Sequence, residues 1–302
     1  MKFFHLLLIA LCSFSASCTK EEIKQEDIDS IPDLGGDTWA KGPIDEWIKS
    51  NYTDPYNISV VYRWDQFEAD PSKLLVPPKE DYVVPVLNAI NNVWAKVYIG
   101  QAGDIFFRKY APKFFTLVGS PAFNNNGSIT LGQAEGGRKV LLYNLNNTRV
   151  KGMSGYRQSD SSTIKEMLHT IHHEFGHILH QNVMYPEEFK SINSNLFTTD
   201  WINYTDAAAR RDGFVTAYCM NVADDDFVET LSVMLVEGRI GFEKMLADIP
   251  EGTTPRGTTR EKAIERLRKK EATVVNYMKQ VWNIDFYALQ EKTRAALEAE
   301  IY

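Results

Sequence analysis

Five histidines fall within twelve residues of a 302-residue chain: His169, His172, His173, His177 and His180. On a helix His173 and His177, four apart, share a face, as two imidazoles binding one zinc ion must. Glu174 then lies about 100° round from His173 and about 60° from His177. A carboxylate there stands beside the metal without being its obvious ligand, placed to take a proton from an attacking water. His173-Glu174-Phe175-Gly176-His177 therefore satisfies H-E-x-x-H with its mechanics intact. Gly176 is intrinsically unfavourable inside a helix, which implies a close neighbour at that point. The longer H-E-x-x-H-x-x-G-x-x-H pattern is excluded, because His180 stands at its glycine and Val183 at its last histidine. His180 is expected to line the pocket or support His177. His169 and His172 are expected to be partly exposed residues of the same helix.

A catalytic zinc needs three protein ligands and one open position. The sixth histidine, His5, lies near the N-terminus, so the third ligand must be an acid. Phe227, Val228, Leu231, Met234 and Leu235 repeat at helical spacing, with Asp224 a suitable N-cap. Asp225 and Glu229 lie four apart on one face of that helix, so one can ligate while the other orients a histidine. Asp226 stands between them, and all three acids remain candidates.

These patterns need elements to hold them. Thr163 and Glu166 form a capping box for a helix running to about Gln181. Before it, Tyr56–Arg63, Phe114–Val118, Ile129–Leu131 and Lys139–Leu145 read as strands, and Tyr82–Ile99 has helical periodicity. Asn124-Asn125-Asn126-Gly127 and Gly136-Gly137 mark turns. Beyond Thr163 the chain is mostly helical, ending in amphipathic segments between Arg260 and Ile301. The order predicts an α+β fold: a small mixed sheet followed by a mostly helical half carrying the H-E-x-x-H helix.

The N-terminus reads as an export signal. Lys2 precedes an apolar run, Phe3–Phe14, too short to span a membrane, and small residues 15–17 lead into Cys18 as in a bacterial lipobox. Residues 1–17 are thus expected to be removed, Cys18 to carry lipid, and residues 18–38 to form an acidic flexible tether. A single domain should fill 39–302. The acidic Lys20-Glu21-Glu22 run suits an exported lipoprotein of the outer membrane, facing the cell surface. Cleavage leaves 285 residues with a net charge of −8, and Cys219 as a lone thiol. That charge argues against nucleic acid as a partner and confines membrane contact to the lipid.

Tyr218, six further residues, then Asp225-Asp226-Phe227-Val228-Glu229, following His-Glu-Phe-Gly-His, resembles the zinc-binding metallopeptidase lipoproteins of gut-type Gram-negative bacteria. These are gluzincin-like zincins distantly similar to the catalytic domain of anthrax lethal factor. Asp54-Pro55-Tyr56-Asn57-Ile58 and Tyr62-Arg63-Trp64 extend the likeness from about Trp39 to the C-terminus. The resemblance implies a zincin fold with one Zn2+ per chain, His173, His177 and Asp225 as ligands, and Glu174 as general base. It further implies Glu229 supporting a ligand histidine, Tyr218 steadying the transition state, and a protein or peptide substrate. The ligand position is usually Glu, and Asp225 is one methylene shorter. That departure keeps open a second expectation, a catalytically degenerate zincin acting as a binding or structural lipoprotein in a surface uptake system. By analogy with zincins, Lys139–Leu145 is expected to be the edge strand that holds the substrate backbone by β-augmentation.

Overall fold

In a computed structural model of the chain, residues 39–63 and 68–302 are described. The expected signal peptide, lipid-bearing Cys18 and tether lie outside them. Gly42–Tyr302 forms one compact unit. It opens with helix α1, Pro43–Ile48, which continues through a π turn and a short helical piece to Tyr56. Strand β1 follows at Ser59–Val61. The expected helix at 82–99 is α2, Glu80–Ile90, joined by a π turn at Asn91–Ala95 to α3, Lys96–Ala102. After α4, Asp104–Tyr110, come β2, Phe114–Leu117, and a two-stranded hairpin, β3 (Ala122–Phe123) with β4 (Ile129–Thr130). Then come β5, Gly132–Glu135, and β6, Lys139–Leu142.

The main sheet runs β1-β2-β6-β5, the first three strands parallel and β5 antiparallel to β6. Two of these placements correct the sequence reading. Lys139–Leu142 is an interior strand, because β2 pairs with its other side; the edge is β5. β5 escapes detection because Gly-Gln-Ala-Glu has little strand propensity. Gly136 and Gly137, both at positive φ (57° and 65°), begin the three-residue connection, completed by Arg138, that folds β5 back onto β6.

The second half is helical: α5, Ser161–Asn182; α6, Glu188–Ile192; α7, Asp206–Arg211; α8, Ala223–Ala247; α9, Arg260–Trp282; α10, Phe286–Ile301. The architecture is thus α+β, as the element order implied. Helix α5 starts two residues before Thr163, entered from a 3-10 turn in which Asp160 accepts from the Arg157 backbone N–H at 2.9 Å, so the expected capping box is not its N-terminus. Helix α8 likewise starts at Ala223, which puts Asp224 in the first turn, where Tyr185 donates to it at 2.5 Å. The α8 backbone breaks at Gly238 (φ 68°, ψ −179°). There Arg294 of α10 donates to the Val236 carbonyl at 2.8 Å, satisfying an acceptor near the break.

The two middle residues of H-E-x-x-H fix where α5 sits. Phe175 enters an aromatic cluster, with ring centroids 4.8 Å from Tyr98 and 5.4 Å from Trp94. Gly176 faces α8, where an added Cβ would lie 3.0 Å from Val228 Cγ1. The close neighbour that a helical glycine implied is therefore Val228. Among the described residues no helix is long and apolar enough to cross a membrane.

Candidate metal centre

Helices α5 and α8 cross at Gly176 and Val228, and the ligand-type side chains meet one turn away. His173 and His177 point their Nε2 atoms at each other, 3.1 Å apart, and Asp225 Oδ1 lies 3.4 Å from His177 Nε2. A tetrahedral ion with bonds of about 2.0–2.1 Å keeps its ligand atoms about 3.3 Å apart. The two spacings bracket that edge, and the three ligand atoms all lie within 4.8 Å of one another. Asn221 Nδ2 donates to the other Asp225 oxygen at 2.7 Å, leaving Oδ1 to face the histidines. Burial pushes the Asp225 carboxyl up, but His177 and Asn221 outweigh it and hold it below the usual range.

The far sides of both imidazoles are also engaged. His173 Nδ1 lies 2.8 Å from Glu229 Oε2, and His177 Nδ1 lies 2.9 Å from His180 Nε2. Burial, then repulsion from His177, lowers His180 to about 4, so it is neutral and can accept. With Nδ1–H donated outward on both rings, the two Nε2 lone pairs face inward, the arrangement a cation requires. Without a cation, the carboxylates act on His173 itself. Burial pushes it down, yet Glu229, Glu174 and Asp225 together lift it to about 9. A pocket that holds a proton so firmly on an imidazole is an electrostatic trap for positive charge.

Glu174 lies between this trio and the sheet edge, accepting from the Ala134 backbone N–H of β5. Burial raises its pKa, only partly offset by His173 and His177. Gly132 makes that approach possible, since a Cβ there would fall 2.2 Å from Thr170 Cγ2 and 3.1 Å from Glu174 Oε1. The Tyr218 ring lies 5.8 Å from that of His173. Burial, then the charges of Asp225, Glu174 and Glu229, hold its phenol far above the ordinary value, so it stays protonated and able to donate. A cleft of about 410 Å3 opens over these groups, walled by the β3–β4 hairpin and β5 on one side and by Trp201, Tyr218 and Asn221 on the other.

His173, Glu174, His177, His180, Tyr218, Asp225 and Glu229 thus converge. Asp226 does not: it points away and pairs with Lys270 of α9 at 2.6 Å, both buried. His172 corrects the expectation of partial exposure. It is fully buried beside Tyr98, with burial holding it neutral down to about 3. His169 is partly exposed, as expected, and lies 2.9 Å from Glu229 Oε2. Its place one turn before His173, on the same stripe, was the available signal. Cys219 is a buried free thiol.

Residues 37–287 match the family described as "Putative zinc-binding metallo-peptidase". A crystal structure of a "putative zinc-binding metallo-peptidase" from Bacteroides caccae is similar at 29% identity and a TM-score of 0.66, covering 84% of this chain and 91% of that one. No functionally curated protein matches.

Proposed function

This chain belongs to the zinc-binding metallo-peptidase family that it matches, and from that premise we propose that it is a lipid-anchored zinc peptidase. His173, His177 and Asp225 would hold one zinc ion, since their Nε2, Nε2 and Oδ1 atoms face one another. Bound there, zinc supplies a Lewis acid that acidifies water and polarises a carbonyl.

The chain's own groups do the rest. Glu174, with its raised pKa, accepts the proton of the attacking water and passes it to the departing amine. Both transfers suit a carboxylate whose affinity for protons lies closer to neutrality than usual. Tyr218 donates its hydroxyl hydrogen to the oxygen that gathers negative charge as the carbonyl carbon becomes tetrahedral. Glu229 and His180 fix the ring orientations from behind. Strand β5, antiparallel and at a sheet edge, has its Ala134 N–H engaged by Glu174 and would hold an extended peptide through its remaining outward backbone groups.

The observation that carries this reading is the inward-facing Nε2 pair at 3.1 Å with Asp225 alongside. The reach of Asp225 also supports catalysis over a binding-only lipoprotein, since its short side chain was the feature that favoured the latter. Glu174→Gln should keep about one equivalent of zinc and abolish cleavage of unfolded protein. Cleavage retained by that variant would refute the assignment. Anchoring at Cys18, with export to the outer membrane and a place at the cell surface beside uptake proteins, belongs to the same proposal. It is checked by Cys18→Ala, which should move the protein from the membrane to the soluble fraction.

A further inference from the structure

Glu229 carries more partners than the orientation of one histidine needs. Its Oε2 meets two imidazoles, His173 Nδ1 at 2.8 Å and His169 Nε2 at 2.9 Å, and its Oε1 accepts from the Thr216 hydroxyl at 2.8 Å. Glu229 is 5% exposed. Ser232 Oγ lies 3.4 Å from His169 Nε2 and donates to the Glu229 backbone carbonyl at 3.1 Å. His169 lines the cleft together with His173 and Glu229, whereas Thr216 and Ser232 do not. It flanks the carboxylate where Glu229 borders the cleft.

We propose that His169 is a positioning residue of the metal centre, holding Glu229 so that His173 presents Nε2 to the ion. This rests on the zinc-peptidase reading above and adds a member to the same site. The physical case has two parts. A carboxylate with a single donor on each oxygen can swing about its terminal bond; a second donor on Oε2 and one on Oε1 leave one orientation that satisfies all three. The imidazole also excludes water. Were it replaced by a small side chain, more of Glu229, which already borders the cleft, would meet water that competes for Oε2 and weakens its hold on His173 Nδ1–H.

The same three side chains put ligand atoms within 4.8 Å of one another and so resemble a second metal set. A neutral imidazole has one lone pair, however. If His173 gives its Nε2 to the ion beside Asp225, its Nδ1 keeps a proton and cannot ligate another. His169 is therefore assigned to hydrogen bonding and not to a second ion.

The test compares His169→Phe, which keeps the ring volume without a donor, with His169→Gln, whose Nε2 amide keeps a donor at similar reach. Zinc affinity is read by chelator competition, and the unfolding midpoint is read separately on zinc-free protein. His169→Phe should bind zinc about tenfold more weakly, while His169→Gln should recover most of that loss. The two zinc-free variants should unfold alike. Unchanged zinc affinity in His169→Phe would overturn the inference. So would equal weakening in both variants, which would make the role one of packing. A second zinc equivalent in the wild type that disappears in His169→Phe would overturn it by making His169 a ligand. A wild-type protein that takes up no zinc would instead remove the peptidase reading beneath it.

Discussion

The two walls of the cleft are held together by different means. On and behind the helical wall, buried and half-buried polar groups are joined across long stretches of sequence: His173 to Glu229, Asp226 to Lys270, Tyr185 to Asp224. The hairpin wall consists of two-residue strands whose bonds are local. There Asn124 Nδ2 donates to Ser128 Oγ at 2.9 Å and Thr130 Oγ1 at 3.0 Å, while Phe123 and Ile129 face solvent at 62% and 50% exposure. Lys73 Nζ ties it to a distant part of the chain, donating to the Phe123 carbonyl and to Asn124 Oδ1, both at 2.8 Å. Ligand-type side chains belong on the first wall because a metal tolerates little misplacement of its donors. A surface that must admit a chain of varied side chains belongs on the second.

The contrast is tested most severely at Lys270. Its ammonium is fully buried, bonded to the Gly213 carbonyl at 2.7 Å and to Asp226. Lys270→Ala leaves Asp226 as an unpaired buried charge and should cost about 3–5 kcal/mol in urea unfolding. A loss below about 1 kcal/mol would mean the helical wall is no more interlocked than the hairpin. Gly132 lies at the seam between the walls. Gly132→Ala forces a Cβ into Thr170 Cγ2 and should cost about 1–3 kcal/mol, with activity lowered as β5 is pushed off Glu174. Thr170→Ser removes that methyl, so the double variant should recover most of the stability; failure to recover would place the strain elsewhere. The smallest effect belongs to the hairpin tip, where Ile129→Ser should change stability by less than about 0.5 kcal/mol in the same assay.

The sequence exposed what depends on local periodicity and hid what depends on distant partners. His173, Glu174 and His177 are legible because four residues make about one helical turn. Asp225, Asp226 and Glu229 are not separable by that rule alone, since each sits on a plausible face. What sends Asp226 away is Lys270, 44 residues downstream. His169 looked incidental for the same reason, its partner being 60 residues away. Strand β5 was invisible because its pairing is imposed by a glycine turn and by β6, not by its own side chains. The α+β order, by contrast, follows from the positions of apolar runs.

Gly238 divides α8 into two segments with unlike tolerance for changes of length. In a continuous helix, one inserted residue rotates everything beyond it by about 100°. Between Asp225 and Glu229 such an insertion would turn one carboxylate off the shared face and dismantle the site. Beyond Gly238 the backbone has already left the helical path, and Arg294 secures the carbonyl before the break. Relatives of this chain can therefore vary in length after Gly238 without disturbing the spacing that the ion reads, and indels within α8 should collect on that side of the glycine.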